Sequence, residues 1–120
     1  MKIRNIREEK KKAVELFFRS QDRSIINELE KNKKFSIAYG ELKVGEKTKR
    51  HVMEMTEMYY ILEGEGTLTI NKDIYNIKQD MYIKVPPDSI QQLTNTGKTN
   101  LRFLCIVTPP YDPGNEIILD

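Results

Sequence analysis

The sequence has no tryptophan, one cysteine, one histidine and no apolar run that approaches the length of a membrane span. Each scarcity excludes something. The single thiol, Cys105, cannot close an internal disulfide, so nothing suggests an oxidising compartment. The single imidazole, His51, leaves no serine–histidine–acid arrangement that the pattern supports. A spanning helix needs about 20 apolar residues, and none is present. The N-terminus, MKIRNIREEKKK, is charged where a signal peptide has its apolar stretch. A cytoplasmic chain with no membrane partner is therefore expected. An excess of one charge is also missing: 20 Lys and Arg face 18 Asp and Glu, for a net charge of +2. The lysine-rich runs at 8–12 and 31–34 read as solvated faces. No basic stripe interleaved with aromatics exists, so no nucleic-acid partner is expected. Gly64 and Gly66 close a strand turn and open no helix, so there is no phosphate-cradling loop.

What is present divides into two zones within 120 residues, a length for one domain with its own core. In residues 1–34, the cluster Ala13, Val14, Leu16, Phe17 and Phe18 predicts a short amphipathic helix over 8–19. Ile25, Ile26 and Leu29 read as another helical turn or an edge strand. Residues 35–108 change character. FSIAYGELKV, MYYILEGE, TLTI, DIYNI, MYIKV, IQQLTN and LRFLCIV are short and rich in β-branched and aromatic residues. Gly, Asn-Lys-Asp and Pro-Pro-Asp turn signals divide them. This spacing predicts an all-β barrel or sandwich. No interval leaves room for crossover helices. LRFLCIV is apolar on both faces, which calls for a covering layer from the N-terminal segment or a second subunit. Either leads toward a homodimer. Residues 109–120 read as a C-terminal tail.

Chemistry concentrates in GEKTKRHVMEMTEMYYILEG, residues 45–64. His51 and Met53 are two apart and share a strand face. On the next strand Glu57, Tyr59 and Ile61 share one. An imidazole and a carboxylate brought together across strands begin a metal site, though such a pair is more often an ordinary hydrogen-bonded one. Tyr59 is expected to point inward beside Glu57, and Tyr39 to do the same from FSIAYGEL; a tyrosine there bonds a substrate oxygen, serves as an acid or fills the barrel. Met55, Met58 and Cys105 read as core or interface filling.

The spacing resembles the two signatures of the cupin superfamily. The first is Gly, five residues, His-x-His, three or four residues, Glu, six residues, Gly. Here it stands as Gly45, His51, Met53, Glu57 and Gly64, with every gap kept. The second is Gly, five residues, Pro-x-Gly, two residues, His, three residues, Asn. It stands as Asp80, Pro86, Asp88, Gln91 and Asn95, again with every gap kept, and 15 residues separate the two. The resemblance covers about residues 35–108 and is nearest to small one-domain members, many of them loosely labelled as similar to mannose-6-phosphate isomerases. It implies a double-stranded β-helix, or jelly-roll barrel, with a short N-terminal helical segment. It implies a small-molecule ligand in a mostly apolar pocket. His51, Glu57, Gln91 and Met53 take the metal-ligand positions, and Tyr39, Tyr59, Ile61 and Gln91 line the pocket. His51, Glu57 and Tyr59 become the candidate catalytic groups.

The departures weigh on function. Three histidines and one glutamate usually hold the ion in metal-binding cupins; here Met53 and Gln91 replace two of the histidines. The remaining set holds one divalent transition metal (zinc, nickel or iron ahead of copper), or none, with Gln91 then bridging His51 and Glu57. Both versions fit an isomerase or cyclase acting on a polar sugar-like or keto compound. In the metal-free one, Glu57 or His51 is the general base. A second reading is a non-enzymatic ligand-binding or sensor module. A third, a dioxygenase, needs a firmly held redox metal, which the depleted set disfavours. Asp80 and Asp88 replace both glycines of the second signature, and Asp tolerates turn conformations.

Overall fold

A computed structural model describes Ile3, Asn5, Val14, Glu15 and residues 25–120. These form two antiparallel sheets. The first has the strand order β1 (Val14–Glu15), β2 (Ile25–Lys31), β3 (Ser36–Leu42), β10 (Leu101–Thr108), β5 (Thr56–Glu63), β8 (Tyr82–Val85). The second has the order β11 (Glu116–Ile118), β4 (His51–Met53), β9 (Ile90–Thr94), β6 (Glu65–Ile70), β7 (Asp73–Lys78). The chain is all-β, a jelly-roll of two facing sheets. No α-helix occurs among the described residues. The helix expected over 8–19 falls mostly outside them. Its two described members, Val14 and Glu15, are a strand paired with Ile26 and Ile25 of β2. The segment around Ile25, Ile26 and Leu29 is likewise strand, because it completes the ladder of β3. No helix among the described residues is long and apolar enough to cross a membrane.

Alternation decides which side chains meet. The inward faces of β5, β9 and β10 bring Tyr59, Ile61, Leu93, Leu101, Phe103 and Cys105 into one core. A smaller cluster of Met53, Met55 and Val107, with Tyr111 against it, fills one end. Position 40 faces inward on β3: a Cβ there would stand 2.3 Å from the Phe103 ring. That ring is held edge-to-face against Tyr59, with centroids 5.8 Å apart. Two turns of the second signature need a left-handed backbone that L-residues seldom adopt. Asp80 has φ 71° and Asp88 has φ 67°, so both aspartates stand in for signature glycines in the glycine conformation.

Because Gly40 faces in, Tyr39 and Glu41 face out. They join a polar network on the outer face of the first sheet. The Tyr39 hydroxyl donates to Glu41 Oε2 at 2.7 Å and accepts from Arg102 Nε at 2.7 Å. Arg102 Nη1 donates to Glu63 Oε2 at 3.0 Å, and Asn100 Nδ2 to Glu41 Oε1 at 2.8 Å. Burial pushes the Tyr39 hydroxyl up to about 12, helped by Glu41 and opposed by the hydrogen bond from Arg102.

Two outcomes follow. A free tyrosine ionises near pH 10, so the unfolded chain loses this proton before the folded one does. The Tyr39 contribution is complete below about pH 10 and disappears as pH rises toward about 12. Urea midpoints should fall more steeply across that window in the native chain than in Tyr39→Phe; superimposable profiles would discard the assignment. Gly40→Ala should cost about 1–3 kcal/mol, since the added Cβ forces the buried Phe103 ring to shift. A loss in urea unfolding below about 0.5 kcal/mol would show that the ring moves aside.

Candidate functional site

His51 opens β4, where its Cα partners are Gln91 on β9 and Ile118 on β11. Glu57 lies in β5 of the opposite sheet, paired with Val107 and Val85. Imidazole and carboxylate therefore meet across the space between the sheets. Both are essentially sealed from solvent, at 1% and 0% exposure. His51 Nδ1 lies 2.9 Å from the carbonyl of Lys49. A carbonyl only accepts, so Nδ1 carries a proton, and Nε2 faces inward. Nε2 stands 3.9 Å from Glu57 Oε1 and 3.9 Å from Glu116 Oε2. Both gaps are too long for a hydrogen bond.

Glu116 is the residue that the sequence reading missed. It lies in the segment read as a tail, yet that segment forms β11 and extends the second sheet. The turn Asp112-Pro113-Gly114-Asn115 leads into it, with Asp112 Oδ1 accepting from Gly114 N at 2.9 Å. Glu116 pairs with Met53, two residues along from the His51–Ile118 pair, so its side chain falls on the His51 face. One oxygen, Oε1, accepts from the Tyr111 hydroxyl at 2.8 Å. The other, Oε2, and His51 Nε2 are buried without a hydrogen bond. The one local signal was a short strand-like run, EIIL, that follows a Pro-Gly turn and opens on an acid.

The remaining candidates divide. Gln91 is buried near His51, but its Oε1 accepts the Tyr59 hydroxyl at 2.9 Å, which leaves that oxygen engaged within the protein. Tyr59 does point inward, as its parity with Glu57 requires. Met53 shares the His51 face and packs with Met55, Val107 and Tyr111. Ile61 is fully buried core beside Tyr59 and Phe103. Tyr39 is corrected: it lies on the outer face, bound to Glu41 and Arg102, and lines no interior pocket. Two surface clefts, of about 480 and 400 Å³, run along residues such as Glu65, Lys78 and Thr99. None of the expected pocket residues lines either cleft.

His51 and Glu57 carry donor types that bind divalent ions. Imidazole and carboxylate both bind zinc at about 2.1 Å, and two such bonds at a tetrahedral angle hold their donors about 3.4 Å apart. Each observed gap of 3.9 Å exceeds that by about half an ångström. The arrangement is thus more open than a finished coordination sphere. Among the described residues, no three His, Cys, Asp or Glu side chains form a metal-holding group as they stand.

Comparison with known proteins agrees with this architecture. Residues 38–107 match the cupin domain family Cupin_2. An uncharacterized protein of Methanocaldococcus jannaschii is 36% identical over 107 residues, covering 84% of this chain and 86% of its own. The crystal structure of a predicted oxalate decarboxylase from Thermotoga maritima superposes with a TM-score of 0.66 at 27% identity, over 71% of this chain and 79% of that one. A double-stranded β-helix protein of Klebsiella pneumoniae superposes with a TM-score of 0.81 over 100% of this chain and 98% of its own, at 14% identity, which speaks for the fold alone. With the family match spanning more than half of its length, the chain belongs to the cupins.

Proposed function

We propose that this chain is a small-molecule cupin that works through His51 and Glu57, as a metal-assisted isomerase or cyclase of a polar sugar-like or keto compound. The observation that carries the reading is the buried His51 Nε2, which has no hydrogen bond and faces a buried carboxylate from the opposite sheet. Buried polar atoms are nearly always satisfied, so an unsatisfied one calls for a ligand, an ion or a role. A zinc, nickel or iron ion held by His51 and Glu57 would supply Lewis acidity toward a substrate oxygen. The chain's own groups do the rest. The Lys49 carbonyl fixes the imidazole tautomer, as outer-shell acceptors do for ligating histidines. The Tyr59 hydroxyl holds the Gln91 side chain in place, and the two sheets exclude water.

A second reading, a ligand-binding or sensor module without turnover, is favoured by one fact. Gln91 Oε1 is already engaged by Tyr59, which leaves a shorter donor set than an ion-dependent cupin usually carries. Elemental analysis of protein purified without chelators or a metal-binding tag separates the two. A transition metal near one equivalent is expected, with affinity at least about tenfold lower in Glu57→Gln. Native protein that neither retains nor takes up zinc, nickel or iron would leave the module as the better account.

The assembly we propose is a homodimer. Across the outer face of the first sheet, Tyr39, Leu104, Tyr60 and Tyr82 form one cross-strand row. Exposure along it rises from 0% at Tyr39 to 68% at Tyr82, which leaves an apolar and aromatic margin at the β8 edge. Light scattering at micromolar concentration should give twice the 14.1 kDa chain mass. A monomer mass across that range would refute it.

A further inference from the structure

We propose that Glu116 is a protein ligand to the ion at His51 and Glu57, so that the C-terminal strand β11 completes this site. The inference rests on the reading of His51 and Glu57 as an ion site, and it adds a residue from outside both cupin signatures. Four observations converge on it. The Glu116 side chain is 1% exposed, and its Oε2 is buried without a hydrogen bond. Oε2 stands at the same 3.9 Å from His51 Nε2 as does Glu57 Oε1, so two carboxylate oxygens lie near one buried ring nitrogen. The outer oxygen, Oε1, is fixed by Tyr111, which aims Oε2 inward in the way that outer-shell partners orient ligating carboxylates. Finally, β11 is fastened at both ends. The Glu54 amide donates to the Asn115 carbonyl at 3.0 Å, and the Leu119 amide to the Arg50 carbonyl at 2.9 Å. Arg50 Nε and its amide both bind the Asp120 carboxylate at 2.8 Å.

The set so formed is one imidazole and two carboxylates. In their ionised forms the carboxylates bring two negative charges, which a divalent ion offsets within a dry site. Ion binding and β11 docking must then be coupled: what holds the strand strengthens the site, and the ion in turn holds the strand.

The test uses the full chain with cobalt(II) as the probe, followed by its visible spectrum and by titration calorimetry. Glu116→Gln should weaken cobalt binding at least about tenfold and change the spectrum of any complex that remains. Tyr111→Phe should weaken it by up to about tenfold, the lower end of outer-shell effects. Glu28→Gln, an exposed carboxylate on β2, should change nothing. In the native chain cobalt should slow hydrogen exchange at the Glu54 and Leu119 amides, and Glu116→Gln should abolish that protection. If Glu57→Gln loses cobalt while Glu116→Gln binds like the native chain, the Glu116 assignment is wrong and the His51–Glu57 site stands. If the native chain binds no cobalt, zinc, nickel or iron, the ion-site reading fails and takes this inference with it. Should Glu116→Gln not fold, Tyr111→Phe and native-chain exchange decide, and unchanged affinity with no protection of β11 overturns the proposal.

Discussion

The parity of β4 is the constraint on which the site depends. Side chains alternate along a strand, so one choice of inward face fixes His51 and Met53 together. The ladder then fixes Gln91 on one neighbour and Glu116 on the other. A slip of one residue would turn all of them outward. Several contacts hold the register beyond the ladder itself. The Asp88 amide donates to the Met53 carbonyl at 2.7 Å, which ties the left-handed turn of the second signature to the end of β4. On the other side, Arg50 and Asp120 tie the start of β4 to the end of the chain. The pairing that places an imidazole inside the barrel therefore also brings in whatever β11 carries.

Two polar groupings in this molecule make an instructive pair. On the outer face, Tyr39, Glu41, Arg102, Glu63 and Asn100 satisfy one another at 2.7–3.0 Å. Such a network rigidifies a sheet and calls for nothing else. Between the sheets, His51 and Glu116 are equally buried, yet an atom of each lacks a hydrogen bond. Leaving a buried polar atom unpaired costs about 1–3 kcal/mol, and more for a charged one. Among the described residues, buried side-chain polar atoms elsewhere are satisfied, so the exception is best understood as a site shaped for something other than itself.

The barrel was legible because its turns and its signatures are local. Each strand is a short β-branched and aromatic run, and the turn residues between them have direct conformational reasons. Asp80 and Asp88 show this well: the gaps of the signature survived the loss of both glycines because aspartate can take the left-handed turn. Tyr39 was not legible. Its strand alternates large and small residues without an obvious polar side, and its parity is set by Gly40, the residue without a side chain, lying over Phe103. Glu116 was hidden for a different reason. Its strand has three residues and belongs to the barrel only through pairing with β4, a partner more than 60 positions away in sequence. No periodicity can emerge from three residues, so the segment read as a tail.

That long-range pairing bears on how a cupin can lose histidines and keep a site. With Met53 and Gln91 in two of the histidine positions, compensation can come only from strands whose inward faces border His51. β9 offers position 91, where the amide oxygen is already engaged by Tyr59. β11 offers Glu116, on the far side of β4 and oriented by Tyr111. Exchanging imidazoles for a carboxylate also changes what the site prefers. Carboxylate oxygen is harder than imidazole nitrogen, so the proposed set of one histidine and two glutamates would move a site away from copper and toward harder ions. On the proposed assignment, the ion preference of the barrel would be set as much by the short C-terminal strand as by the signatures that define the family.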